Sequence, residues 1–345
     1  MVKHRYPISL FSLLIVVFML VFAADIFFGS VNISFSEIMD SFMSYSQEKS
    51  SIHKIILEYR LPKAITAIIA GMALSVSGLL MQTIFRNPLA GPFVLGISSG
   101  ASLGVALLIM SSSLFFGTTL TGLSGNWSIV IAAFLGAAIV LFIILILSIR
   151  IKDIMTILIL GILFGSAATA IVSILQYFSP ENLLKTYVLW TMGNLGNVTT
   201  EQLRIFIPMA IISLVIVTFT SKSLNALILG EQYAQTLGIQ IKTLRFIVFF
   251  ITSILAGTTT AFCGPIGFIG IAIPHISRLF FKTQNHFILF PACMLIGGIV
   301  LLISDIFSQL PGSAYTLPIN SITSIIGIPI VIWIVTKNFR FSSYF

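Results

Sequence analysis

The chain reads as an all-α protein, a polytopic membrane helix bundle of about ten transmembrane helices forming one domain over residues 1–345. Three observations predict this. Apolar residues make up 57% of the sequence and charged residues only 8%, where a soluble domain carries about 25% charge. Mean hydropathy is +1.10. The apolar residues fall in runs near the length of roughly 20 residues that a spanning helix needs, and glycine and proline clusters separate the runs.

The first span covers Ile8–Phe28. Lys3-His4-Arg5 precedes it as in a signal peptide, but the apolar run before Asp25 exceeds a usual h-region and no small-x-small site follows, so an uncleaved helix is expected. The second span, Ala64–Phe85, and the third, Phe93–Met110, flank a break at Arg86–Gly96. Asn87-Pro88 and Gly91-Pro92 cannot continue a helix, because each proline lacks an N–H and pushes its predecessor out of the α region. Lipid does not tolerate unpaired backbone, which places this break at a membrane surface or in a protein-lined cavity. Gly96, Gly100 and Gly104 lie four apart on one face, and Gly161 and Gly165 repeat the spacing. Small residues at this spacing let helix backbones approach closely in lipid.

The fourth to sixth spans are Ser128–Ile149, Ile154–Phe178 and Leu203–Phe219. The loop Ser221–Arg245 then carries two short helix-forming stretches, Leu224–Leu229 and Glu231–Leu237, closed by Gly230 and Gly238. Both glycines suit a left-handed C-cap. This is either a protruding docking element or an amphipathic connector lying on the surface. The seventh span is Leu244–Cys263. The eighth, Ile266–Phe280, is short and rich in glycine and proline, and is expected to be an irregular or partial span. Its His275 has no carboxylate or nucleophile nearby in sequence and reads as a helix-end structural residue. The ninth, Phe287–Leu310, holds Asp305 near its outer end. Intramembrane acids are functional candidates by default, but no second carboxylate accompanies this one in sequence, which weakens a proton relay. The tenth is Ile319–Thr336.

Alternating the loops between two faces gives a charge test. One face collects Lys3, Arg5, Arg86, Arg150, Lys152, Lys222, Lys242, Arg245, Arg278, Lys282, Lys337 and Arg340 against Asp153 and Glu231. The other carries Lys49, Lys54, Arg60, Lys63, Lys185 and Arg204 against Asp25, Glu37, Asp40, Glu48, Glu58, Glu181 and Glu201. The positive-inside rule places the first face, with both termini, in the cytoplasm. The +8 net charge is therefore topological and gives no reason to expect a nucleic-acid partner.

Cys263 and Cys293 fall in or beside spans as small core residues. His4, His53, His275 and His286 are scattered, so no metal site is expected. The Asn-x-Ser/Thr triplets at Asn32, Asn126 and Asn197 are short enough to arise by chance. No glycine precedes a lysine, so there is no Walker A loop; HExxH and a serine-nucleophile elbow are also missing. Energy for any work must come from another polypeptide or an ion gradient. A secondary transporter needs paired ionisable groups near the midplane, and an intramembrane enzyme needs a catalytic dyad; the sequence offers neither.

The runs RLPKAITAIIAG, QTIFRNPLAGPFVLGISSGASLG, LGEQYAQTLGI, GPIGFIGIAIPHISR and LPINSITSIIGIPIVIWIV, in that order over nearly the whole chain, resemble the FecCD-type permeases of bacterial ABC importers for iron-siderophores, haem and vitamin B12. The resemblance implies a type II importer permease of the cytoplasmic membrane. Its partners would be a second permease copy in a homodimer, two cytoplasmic ATPases and an extracytoplasmic substrate-binding protein. It implies no catalytic residue and no cofactor on this chain, with ATP and Mg on the ATPase.

By the same resemblance, Leu229, Gly230, Glu231, Ala234, Leu237, Gly238 and Ile239 form the ATPase-coupling loop, and Arg60 and Lys63 are outer-surface basics that meet the binding protein. Asn87 and Leu89 match positions near the cytoplasmic gate. Ile154, Met155 and Gln176 are pathway candidates. The sequence departs from the family at Gln309, where many members carry arginine, and at Thr316 and Asn320. Ile154 and Met155 are more apolar than the corresponding gate residues of the vitamin B12 permease. The cargo order implied is ferric siderophore first, haem second, vitamin B12 third.

Overall fold

The computed structural model describes residues 6–29, 51–111, 126–151, 153–309 and 316–338. Lys3, Arg5, Lys49, Lys152 and Arg340, the acids Glu37, Asp40 and Glu48, and also His4, the Asn32 triplet and Leu310 lie outside them.

Helix α1 covers Tyr6–Phe27. A turn at Ser51–Lys54 and a π-helical turn at Ile55–Arg60 run without a stop into α2, Leu61–Phe85. Pro62 sits in the first turn of α2, where its missing N–H costs nothing. A 3-10 turn at Pro92–Leu95 precedes α3, Ile97–Ala106. There follow α4, Asn126–Arg150, and α5, Ile154–Phe178. Then comes α6, Glu181–Thr191, a short amphipathic helix that hydropathy does not announce. Next are α7, Thr200–Phe219, and the pair α8, Ser221–Ile228, and α9, Glu231–Thr236. The last four are α10, Ile241–Cys263, α11, Ile269–Phe281, α12, His286–Ser308, and α13, Ile319–Asn338.

Seven helical stretches are long and apolar enough to cross a membrane, and three shorter apolar helices accompany them among the described residues. Together they occupy the ten segments expected. The eighth is the partial span anticipated: α11 has only 13 residues, about 20 Å at 1.5 Å per residue. It starts abruptly after Gly264 at φ +73 and Phe268 at φ +65.

Burial sorts the helices. The apolar window of α2 is 83% buried, whereas those of α1, α4 and α5 are 17%, 28% and 28% buried. α2 packs on α12, α10 and α11, and α3 fills the space between α4, α5 and α10. Without a hydrophobic force between helices in lipid, close van der Waals fit must hold such a bundle. Glycine supplies it at the tightest crossings. A Cβ at Gly78 would overlap the backbone of Gly270 in α11, and one at Gly100 or Gly104 would meet the α4 backbone at Gly136 or Ala132. The glycine rows noted in the sequence are therefore packing faces. Outward-facing leucines, isoleucines and phenylalanines on α1, α4 and α5 leave a broad apolar surface on the bundle.

Candidate functional site

Polar and irregular features gather at the two ends of α2. Its 25 residues separate them by about 37 Å.

At the end where α2 stops, Arg86 takes a left-handed conformation, φ +47, and its N–H returns to the carbonyls of Gln82 and Thr83. Asn87 then folds its side chain under the chain, Oδ1 accepting from the Leu89 N–H at 2.9 Å. This is an Asx turn of the kind asparagine favours before proline. The carbonyl of Pro88 is bonded by His275 Nε2 of α11 at 2.7 Å, so the histidine ties α11 to the break. The Asn-Pro-Leu turn is thereby stitched to the partial span. Leu89 remains 43% exposed.

Beside this break lies the α8–α9 element. Gly230 at φ +126 and Gly238 at φ +80 occupy backbone regions where other residues are strained, which is why the chain can reverse twice in so few residues. Glu231 Oε1 accepts from Arg245 Nη2 at 2.6 Å, tying α9 to α10. Ala234 is buried, but Leu229 and Leu237 are 67% and 58% exposed. Ile239 is half-buried and bonded through its N–H to the Ala234 carbonyl. An apolar edge is thus carried on a rigid, hydrogen-bonded frame.

At the start of α5, Asp153 is the N-cap and accepts from the Thr156 hydroxyl and from the N–H groups of Thr156 and Met155. Those bonds, Thr156's first, hold its carboxyl below the usual range. Ile154 is half-buried and Met155 exposed on the same turn, whereas Gln176 lies half-buried at the far end of α5. The fifth helix therefore separates its three candidates to opposite ends.

At the opposite end of α2 the sequence reading needs correction. Arg60 is buried, and its Nη1 donates to the carbonyls of Ile26 and Phe27 at 2.8 and 3.0 Å. These carbonyls are the unpaired acceptors at the C-terminus of α1, where a cation is favoured by the helix dipole. Lys63 Nζ pairs with Asp305 Oδ1 at 2.9 Å, and the two side chains are 18% and 2% exposed. Gln309 Nε2 donates to Asp305 Oδ2 at 2.8 Å. Asp25, buried near the end of α1, faces the same cluster within reach of Asp305, Lys63 and Arg60. Asp305 is thus accompanied by a second carboxylate from a distant part of the sequence. Arg60 and Lys63, expected as outer-surface basics, are engaged in an ion cluster joining α1, α2 and α12.

A cavity of about 800 Å³ opens against this cluster, lined among others by Arg60, Lys63, Asn194, Gln202, Asp305 and Gln309. Gln202 doubles as partner in the capping box with Thr199 that starts α7. Among the described residues no group of three or more His, Cys, Asp or Glu comes together as a metal site. Cys263 and Cys293 are buried free thiols.

A model of the FecCD transport family matches residues 13–337. The chain is 33% identical over 317 residues to a protein described as an ABC transporter permease from Methanocaldococcus jannaschii, covering 90% of this chain and 89% of that one. It is 35% identical over 283 residues, 82% of each chain, to the vitamin B12 import system permease protein BtuC of Klebsiella pneumoniae. A solved structure described as the inward-facing conformation of a metal-chelate type ABC transporter superposes with a TM-score of 0.81 at 29% identity, covering 96% of this chain and 100% of that one.

Proposed function

The chain belongs to the FecCD transport family, and from that premise we propose that it forms, with a second copy of itself, the membrane path for a ferric chelate, foremost a ferric siderophore. As a permease of this family it is an integral membrane subunit of an ABC importer, working with an ATPase and a substrate-binding protein. Two copies of each of the permease and the ATPase make the proposed assembly, with ATP and Mg held by the ATPase.

The observation that carries the coupling reading is the exposed edge of α8–α9. Leu229, Tyr233 and Leu237 stand out at 67%, 49% and 58% exposure on a frame fixed by two positive-φ glycines and the Glu231–Arg245 pair. An apolar edge that rigid suits insertion into a groove on the ATPase. It also follows that α8–α9 faces the cytoplasm and that Asn87 and Leu89, beside it, stand at the inner gate. Ile154 and Met155 then line the inner mouth of the path, and Gln176 its outer part.

At the other end, the Arg60–Lys63 cluster faces the binding protein. Arg60 is tied up inside the fold, so the partner's acidic groups would meet Lys63, which keeps part of its side chain exposed. Lys63→Gln, rather than reversal of Arg60, should weaken docking less than about tenfold, since exposed pairs contribute only about 0.2–1 kcal/mol; binding-protein affinity is read beside the unfolding temperature, because the same change strands Asp305.

The apolar Ile154–Met155 step favours a ferric chelate, and the metal-chelate transporter among the similar structures supports a metal-chelate cargo in general. The BtuC relatives favour a second reading, a cobalt corrinoid. Uptake by a deletion strain, measured compound by compound with ferric siderophores, haem and vitamin B12, decides between them. Restored uptake of vitamin B12 alone would refute the ferric reading.

A further inference from the structure

α8 is fastened to the membrane helices by a set of polar contacts that run from the surface at Asn285 to the buried His286 and Thr83. Asn225, in the middle of α8, accepts on Oδ1 from both the backbone N–H and the ring Nδ1 of His286, at 2.9 and 2.8 Å. Its Nδ2 donates to Asn285 Oδ1 at 2.8 Å. The orientation of the amide is dictated, because a flipped group would face a backbone N–H with its own N–H. The Nδ1 of His286 therefore bears the proton. Its Nε2 lies 2.9 Å from the hydroxyl of Thr83, in the last turn of α2. A second strand of contact runs from Arg86 Nη2 to the Leu227 carbonyl of α8 at 3.2 Å.

His286 is the first residue of α12, whose N–H has no partner within that helix. Asn285 caps Phe287 in the ordinary way, and Asn225 supplies a second cap from another element. His286 and Thr83 are 1% and 7% exposed. Polar groups so buried are tolerated when all are satisfied, and such a network holds one geometry. It ends three residues before the break at Arg86, where Leu89 and Pro88 begin the turn.

We propose that Asn225 and His286 are positioning residues forming the joint through which displacement of α8–α9 is passed to the end of α2 and so to the Arg86–Gly91 break. The turn at Gly230 separates α9 from this joint, and α9 is held instead to α10 through the Glu231–Arg245 pair. Movement imposed on the pair thus reaches α2 and α12 through α8, and α10 through α9. This rests on the docking of α8–α9 to the ATPase.

The test uses the permease co-expressed and purified with its ATPase, following hydrogen exchange of residues 83–96 with and without ATP plus vanadate. The wild-type complex should show a nucleotide-dependent change in exchange there. Asn225→Leu and His286→Leu should each reduce it by about threefold to tenfold, the scale of one lost hydrogen bond, while the ATPase still co-purifies and still hydrolyses ATP. The double variant should lose no more than either single one. A wild-type complex with ATPase bound but no change at 83–96, single variants that respond normally, or effects that add in the double variant would each overturn the joint and leave docking intact. Failure of the ATPase to co-purify with the wild type overturns the docking reading, and the joint with it.

Discussion

Two residues test the site most directly. Gly238 has φ +80 and nothing within 4 Å of where a Cβ would sit, so a substitution there strains backbone alone. Gly238→Val should strain the turn by about 1–2 kcal/mol, reducing co-purification of the ATPase while membrane insertion, read by fractionation, is unchanged. Its need for a positive φ was legible in the sequence from the helix-forming run it closes. The ion pair was not: Lys63 and Asp305 lie in the second and ninth spans, and nothing local marks them as partners. Removing one member of a buried pair strands the other charge, at about 3–5 kcal/mol, and the partial exposure of Lys63 places this pair toward the lower figure. Lys63→Met and Asp305→Asn should each lower the unfolding temperature in detergent by several degrees, and the double variant by less than the sum. Additive losses would show that the pair makes no net contribution.

The ends of helices were hardest to read, because caps and breaks depend on neighbours that sequence does not order. Ile154–Phe178 emerged with the expected bounds since Asp153 is a strong N-cap before a long run without charged residues. Helix α2 instead begins earlier than hydropathy suggests, for Arg60 and Lys63 are too polar for a span until Asp305 and the α1 carbonyls satisfy them. α6 went unseen for the opposite reason: it is too short and polar to register as a span. Packing of the elements gives a paired test. Gly78→Ala places a methyl into the Gly270 backbone, whereas Gly257→Ala puts one at 3.6 Å from the Ala137 methyl, an ordinary contact. The first should cost about 1–3 kcal/mol or more by overpacking and cut the yield of monodisperse protein; the second should be tolerated. Equal yields from both would mean that α2 and α11 separate without penalty.

For the whole molecule, composition and span count made the membrane bundle plain before any coordinates, while its lateral neighbours stayed hidden, because lipid and a second subunit select the same apolar side chains. Native mass spectrometry of the co-expressed complex should give two permeases with two ATPases, and a stable 1:1 species with full transport would exclude that stoichiometry. In the permease expressed without its ATPase, Tyr233→Cys, at a position 49% exposed, should react with an impermeant maleimide in inside-out vesicles and stay protected in intact cells; the reverse would invert the proposed topology. Helix α2 adds one consequence for such experiments. It is a nearly fully buried rod whose N-terminal end sits by the Lys63–Asp305 pair and whose C-terminal end adjoins the Asn225–His286 contacts of α8. If the external protein docks at that cluster and the ATPase at α8–α9, as proposed, a member anchored at both ends links the two occupancies thermodynamically. Whatever factor nucleotide binding applies to affinity for the external protein, that protein applies the same factor to nucleotide affinity in return.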